Sequence, residues 1–236
     1  MVQTETSSDK AIVTEYFNKE GFNRWRRIYS EDGEVNKVQR DIREGHKETV
    51  SKILKWFDDD GGCEGERICD AGCGVGSLTL PLVERGALVA ASDISNAMIS
   101  EARERVEVEL GEEYLKNVSF AVCDLENLGG SFDTICCIDV MIHYPTDKAK
   151  EMIAHLGTLA KKRMIITFAP WTFWLGILKK VGQFFPGPSK ATRAYLHKED
   201  DIRDALEKNG WKVRRTEFTG SKFYYSTILE AVKDTE

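Results

Sequence analysis

The stretch CDAGCGVGS (69–77) sets three glycines at alternate positions, Gly72, Gly74 and Gly76, behind Asp70. Inside a helix or a strand each glycine would weaken the element, so the stretch reads as a loop whose backbone turns sharply or stays bare for something that approaches it. Before it, ERICDA has the short apolar run of a strand; after it, LTLPLVERG has helical spacing. A strand, a glycine loop and a helix in that order form the place where an α/β sheet meets a nucleotide-like ligand. Two phosphate-binding patterns fail here. Counting from Gly72 puts Ser77 at the last position of G-x-G-x-x-G, and no lysine follows as a phosphate-binding loop requires.

Outward from the loop, short apolar runs alternate with helical patterns: ALVAAS, then AMISEARERVEVEL; VSFAV; FDTICCI, then a helix toward Leu159; RMIITFA. This alternation is the sequence form of βαβ units. It predicts a Rossmann-like, doubly wound, seven-stranded and mostly parallel α/β sheet. EDDIRDALEKNG reads as a helix closed by Gly210, followed by two strand-like runs, WKVRRTEF and KFYYSTILEAV, which predict an antiparallel C-terminal strand. Upstream, Val35, Val38, Ile42, Val50, Ile53, Leu54 and Phe57 recur at helical spacing, as do Ile12, Val13, Tyr16 and Phe17. Residues 1–60 are therefore expected to be an N-terminal helical lid or arm, and 61–236 the main domain, with an insertion at about 170–197.

Composition narrows the classes of function. No apolar run approaches the roughly 18–20 residues of a membrane span, and MVQTETSSDK lacks the basic start and apolar core of a signal peptide, so a cytoplasmic protein is expected. The six cysteines (63, 69, 73, 123, 136, 137) contain no C-x-x-C pair and sit mostly in apolar runs, which predicts reduced core thiols and no metal site. A formal charge of −6 argues against nucleic-acid binding.

With both phosphate patterns excluded, D-x-G-x-G-x-G resembles the first motif of the class I S-adenosylmethionine-dependent methyltransferases. That resemblance implies that the loop, Asp70 with Gly72, Gly74 and Gly76, approaches an amino acid and a sulfonium. It implies further roles at later strand ends: Asp93, with Ile94 beside it, accepting the ribose hydroxyls; Asp124 accepting from the adenine amino group, with Leu125 against the ring; Asp139 facing the cofactor's amino acid end. The resemblance covers roughly 66–168.

The acceptor leaves its own marks. Between Glu151 and Glu199 there is no acidic residue, while Lys161, Lys162, Arg163, Lys179, Lys180, Lys190, Arg193 and Lys198 lie there. Within it, WTFWLGILKKVGQFFPGP (171–188) carries Trp171, Trp174, Leu178, Val181 and Phe185 on one helical stripe. Such a segment packs a core, or meets a flat hydrophobic ligand with carboxylates, or lies on an anionic membrane. A second aromatic and basic segment, YFNKEGFNRWRRIYS (16–30), reads as a lid. Together with DVMIHYP (139–145) and FPGPSKATRAYLHKEDDIRDALEKNGWKV (185–213), these segments resemble the magnesium-protoporphyrin IX methyltransferases of chlorophyll biosynthesis. The resemblance implies methyl transfer from S-adenosylmethionine to a propionate carboxylate of magnesium protoporphyrin IX. Its metal belongs to the substrate. The resemblance also implies hand-over from a magnesium chelatase subunit, and the apolar stripe from Trp171 to Phe185, flanked by Lys179 and Lys180, predicts peripheral contact with an anionic photosynthetic membrane.

In this reading Trp25, Arg26, Arg27, Trp171, Trp174, Lys190 and Arg193 bind the porphyrin. His143, four residues past Asp139, is the expected base, with an imidazole pKa near the free value of about 6.5, and Tyr29 is the second catalytic candidate; His46 and His155 fall in helical patterns. A methyltransferase for a quinone or another hydrophobic small molecule would keep the cofactor motifs, and a silent adenosylmethionine-binding module would keep the fold. Both stay open at the level of residues.

Overall fold

A computed structural model describes residues 36–171 and 195–233, together with Asn18 and Phe22. Helix α1 (Lys37–Asp59) starts at Asn36, whose side chain accepts from the backbone of Gln39 at 2.9 Å while the Gln39 side chain accepts in return from the Asn36 backbone. This reciprocal cap satisfies two amides that the first turn leaves open. The helix buries Thr49, Val50, Ile53, Trp56 and Phe57 on one stripe.

The strands are β1 (Arg67–Ala71), β2 (Leu88–Asp93), β3 (Val118–Val122), β4 (Phe132–Cys137), β5 (Ala160–Phe168), β6 (Trp211–Gly220) and β7 (Tyr225–Lys233). Between them lie α2 (Thr79–Glu84), α3 (Asn96–Arg105), α4 (Thr146–Leu159) and α5 (Glu199–Lys208). The seven strands form one sheet in the order β3-β2-β1-β4-β5-β7-β6. The pairs among β1 to β5 are parallel, and β7 runs antiparallel to both β5 and β6. The predicted doubly wound sheet with an antiparallel C-terminal strand is the observed one.

Alternation along each strand splits the core in two. Ile135, Cys137, Met164, Ile166 and Leu229 pack with Met152, Ile153 and Leu156 of α4 and with Leu206 of α5. Cys136, Ile165 and Ile228 point to the other face and pack with Ile53 and Phe57 of α1, Val83 of α2 and Ile99 of α3. Truncating a fully buried side chain such as Ile53 or Phe57 would cost roughly 2–5 kcal/mol. Helix α1 thus belongs to the core of the sheet. The lid segment 16–30, apart from Asn18 and Phe22, and the aromatic segment 172–194 lie outside the described residues.

The strand order reverses beside β1, where β2 leaves to one side and β4 to the other. At such a point the loops after the strands separate and open a crevice. The glycine loop sits there.

Candidate functional site

The three glycines answer three different demands. All have positive φ, 83° at Gly72, 53° at Gly74 and 83° at Gly76, a region that side-chain-bearing residues rarely enter. A Cβ on Gly72 would lie 2.3 Å from Val140 Cγ2, and one on Gly76 would lie 2.8 Å from Leu80 Cδ1. A Cβ on Gly74 would meet nothing within 4 Å. Gly72 and Gly76 are therefore bare for packing, whereas Gly74 presents its backbone to open space.

Hydrogen bonds hold the loop in that shape. The amides of Gly72 and Cys73 donate to the Ser92 carbonyl of β2 at 2.7 and 2.9 Å. Asp93 Oδ2 accepts from the Gly74 amide at 3.0 Å, and Oδ1 accepts from the Ser95 amide at 2.8 Å. Below them the buried Asp70 accepts from the Thr79 hydroxyl at 2.6 Å. Helix α3 is capped by Ser95, whose hydroxyl accepts from the Met98 amide, so Asp93 is not its cap.

The loop forms one wall of a cavity of about 250 Å³. Asp70, Gly72, Gly74, Asp93, Ile94, Asp124, Leu125, Asp139 and His143 all line it, so residues spread over four strand ends meet at one place. Gly76 lies behind the lining. Among the described residues no lysine or arginine lines this cavity. Burial lifts Asp70 to about 6, against the Thr79 hydrogen bond and with help from the Asp93 charge. Burial likewise raises Asp93, opposed by the amides of Ser95, Gly74 and Ile94. Carboxylates kept away from cations in a closed space remain available to donors on a ligand.

Asp139 is placed differently from its neighbours. Its φ of 57° is the one positive value among the described residues other than glycine. Holding such a residue there costs on the order of 1–3 kcal/mol. Its carboxylate accepts from His46 Nδ1 at 2.7 Å, from the Tyr224 hydroxyl at 2.9 Å and from the Thr167 hydroxyl at 3.2 Å. Burial alone would raise Asp139, but the His46 contact and these hydroxyls hold it below the usual carboxylate range. Protein donors thus take up the oxygens expected to face the cofactor, and Asp139 ties α1, β5 and the turn before β7 to the end of β4.

His46 and Tyr224 also line the cavity, and sequence reasoning missed both as site residues. Gly45 was the available signal, since a Cβ there would fall 2.4 Å from Tyr224 Cδ1 and the helix must be bare for that ring to approach. His143 is where the sequence put it, but burial drives its imidazole down to about 4, with the Asp139 charge only partly offsetting this, rather than leaving it near 6.5. His155 meets the Leu128 carbonyl at 2.9 Å, away from the site.

The basic segment divides. Lys161, Lys162 and Arg163 stand in the first half of β5, at the opposite end of the sheet. Lys162 pairs with Asp133 at 3.1 Å, and Arg163 is buried against Asp60, Glu66 and Glu230. These three cannot meet an anion at the crevice, because β5 must run its full length before reaching it. Trp171 is 49% exposed, lies 5.8 Å from Lys198 and does not line the cavity. Tyr29, Trp25, Arg26, Arg27, Trp174, Lys190 and Arg193 lie outside the described residues.

Among the described residues no group of three or more histidine, cysteine, aspartate or glutamate side chains is arranged to hold a metal ion, and no helix is long and apolar enough to cross a membrane. The cysteines are free, and burial pushes Cys137 up to about 12, so that thiol is unreactive at neutral pH.

Comparison with known proteins agrees with this geometry. A family model described as the magnesium-protoporphyrin IX methyltransferase C-terminus matches residues 137–233, and a methyltransferase domain matches 68–163. The magnesium-protoporphyrin O-methyltransferase of Synechocystis sp. is 54% identical over 95% of this chain and 96% of its own length. The chloroplastic magnesium protoporphyrin IX methyltransferase of Arabidopsis thaliana is 53% identical over 95% of this chain and 71% of its own. A crystal structure of the Synechocystis enzyme with bound S-adenosylhomocysteine superposes with a TM-score of 0.89 at 52% identity, covering 95% of this chain and 100% of that one.

Proposed function

The chain belongs to the magnesium-protoporphyrin IX methyltransferase family, and from that membership we propose that its crevice brings S-adenosylmethionine to a propionate carboxylate of magnesium protoporphyrin IX. It is an S-adenosylmethionine-dependent O-methyltransferase of chlorophyll biosynthesis, and the product of the proposed transfer is the monomethyl ester. One cavity carries the assignment of roles: Gly74, Asp93, Asp124, Leu125 and His143 line it together with Phe223 and Tyr224 of the turn before β7.

The residues fit the cofactor. At Gly74 a Cβ would occupy the space a ligand needs, Asp93 offers carboxylate oxygens for paired hydroxyls, and Ile94 and Leu125 supply apolar walls for a flat base. S-adenosylmethionine supplies the electrophilic methyl on its sulfonium. The chain supplies place and orientation. A propionate has a pKa of about 4–5, so at neutral pH the nucleophile is already ionised and positioning dominates. His143, neutral at that pH, offers a hydrogen-bond acceptor to the acceptor's carboxyl group; with its imidazole pushed down to about 4 it orients that group rather than taking a full proton from it. Asp70 and Asp139 hold the walls, through Thr79 and through His46 and Tyr224. Tyr29, with Trp25, Arg26, Arg27, Trp174, Lys190 and Arg193, completes the acceptor side, and Trp171, outside the cavity lining, does not. Basic and aromatic side chains are the chemistry a planar dicarboxylate asks for.

Hand-over by a magnesium chelatase subunit and peripheral contact with a photosynthetic membrane extend the same reading. The acid-free aromatic segment 171–188 supports it, each lysine near an anionic surface adding roughly 1 kcal/mol. The reaction itself is tested by incubating the purified chain with S-adenosylmethionine and magnesium protoporphyrin IX and separating pigments by chromatography with mass detection. The monomethyl ester is expected. A chain that binds S-adenosylmethionine and forms no ester overturns the acceptor.

A further inference from the structure

The turn joining β6 to β7 is held at both of its ends. The Ser221 amide donates to the Tyr224 carbonyl at 2.8 Å, closing the turn on itself. Asp41 of α1 then grips it: its carboxylate accepts from the Ser221 hydroxyl at 2.8 Å and also from the Phe223 amide. Tyr224 reaches inward, donating its hydroxyl to Asp139 at 2.9 Å with Thr49 Oγ1 at 3.1 Å, while its ring lies on Gly45.

Between these anchors Phe223 is 53% exposed and yet lines the cavity. Lys222 stands exposed beside it. Tyr225, on the other side, also lines the cavity and lies nearly parallel to the half-exposed Phe218, with ring centroids 6.5 Å apart and planes at 27°. Large apolar rings left to water oppose folding unless something covers them. A phenylalanine whose own amide is fixed by a carboxylate loses little backbone freedom on meeting a ligand, which favours stacking of its ring.

We infer that the β6–β7 turn is the acceptor platform, with Phe223 stacking on the flat apolar macrocycle at the mouth of the cavity and Lys222 offering its ammonium to a carboxylate of that substrate. This rests on the proposed function, which supplies the occupant, and it adds binding residues in a stretch whose sequence pattern reads only as a strand. Phe223 and His143 line the same cavity, so a ring seated on the turn shares that space with the reacting end.

The test is a titration of magnesium protoporphyrin IX, followed by its own absorbance and fluorescence, into the chain saturated with S-adenosylhomocysteine. Phe223→Ala is expected to raise the porphyrin Kd and KM about tenfold, the scale of one aromatic contact, with S-adenosylhomocysteine affinity unchanged. Phe223→Trp should hold or tighten binding. Lys222→Gln should weaken it less and reduce its sensitivity to salt. Asp41→Asn, which leaves the ring in place but loosens the turn, should fall between wild type and Phe223→Ala. A Phe223→Ala chain with normal S-adenosylhomocysteine affinity and an unchanged porphyrin Kd overturns the platform alone. A wild-type chain that takes up no magnesium protoporphyrin IX overturns the acceptor assignment and the platform with it.

Discussion

At the carboxyl ends of the parallel strands Asp70 and Asp93 stand in a cavity with no lysine or arginine among its described lining residues, whereas at the opposite end Asp60 and Glu230 are gripped by arginines. Glu230 is fully buried and meets Arg163, Arg214 and Arg215 at 3.4, 2.8 and 3.0 Å. Asp60 pairs with the same three arginines, and Arg163 lies over the Phe57 ring at 4.0 Å. The pKa directions follow this division. Burial acts to raise Asp60, yet hydrogen bonds from Arg215 and Arg214 hold it low, while burial prevails at Asp70 and Asp93. The paired end joins α1, β5, β6 and β7 into one body. At the crevice end Asp70 and Asp93 are held by hydroxyl and amide donors without a lysine or arginine partner, which leaves their charge to meet a ligand.

The sharpest way to break this contrast is to unpair the closed end. Glu230→Ala removes the fully buried carboxylate that three arginines share and leaves them to Asp60, with Glu66 at Arg163, so a loss of up to about 3–5 kcal/mol is expected, read as a lower midpoint in urea or heat. S-adenosylmethionine affinity, measured below the transition, should stay at the wild-type value. A stable Glu230→Ala chain would mean that the cluster is screened by water and is not the structural end of the sheet.

Next in size is the open end. Gly74→Val places a branched side chain at a φ of 53° and its methyls in the cavity. A hundredfold or greater loss of S-adenosylmethionine affinity by calorimetry is expected, about 2.7 kcal/mol, with a much smaller change in stability than Glu230→Ala gives. Asp93→Ala should cost more than tenfold, roughly 1.5–3 kcal/mol for the charge-assisted bonds to hydroxyls. It also removes the acceptor of the Gly74 amide, so Asp93→Asn, which keeps one oxygen, should recover part of the loss. An unchanged Kd in a folded Asp93→Ala chain removes Asp93 from the site.

What the sequence made legible follows the same division. Strands, helices and the glycine loop are local: their signals are period, run length and the absence of side chains within a few residues, and the residues from Asp70 to Leu125 that line the cavity sit at strand ends for that reason. The Asp139 junction is not local. His46, Thr167 and Tyr224 converge on it across 93, 28 and 85 residues of chain, and no pattern of one element announces the meeting. Phe223 and Tyr224 were hidden in KFYYSTILEAV, which a strand explains fully until the turn is seen. Lys161, Lys162 and Arg163 misled in the opposite sense, since a charge run says nothing about which end of a strand it occupies.

The smallest expected effect, and the one that separates chemistry from placement, is at His143. Buried where it is, the imidazole is pushed down to about 4, so it is neutral across the physiological range and protonates only near that value. His143→Ala should lower turnover by about tenfold or more with S-adenosylmethionine affinity unchanged, general acid–base groups contributing typically 10²–10⁴ when they carry a full proton. The wild-type rate should then remain level as pH falls through 6.5; below about 5 both chains should decline, because the propionate itself protonates there, so the absence of a limb at 6.5 is the feature that reports the lowered imidazole. The same shift affects folding with a definite sign. Between pH 6.5 and 4 the unfolded chain binds a proton that the folded one refuses, so the stability attached to His143 is complete above 6.5 and lost as pH falls through this window. The urea midpoint of the wild type should drop more steeply there than that of His143→Ala. An activity limb at 6.5 that survives in His143→Ala would transfer the titration to another group and leave His143 as a wall of the crevice.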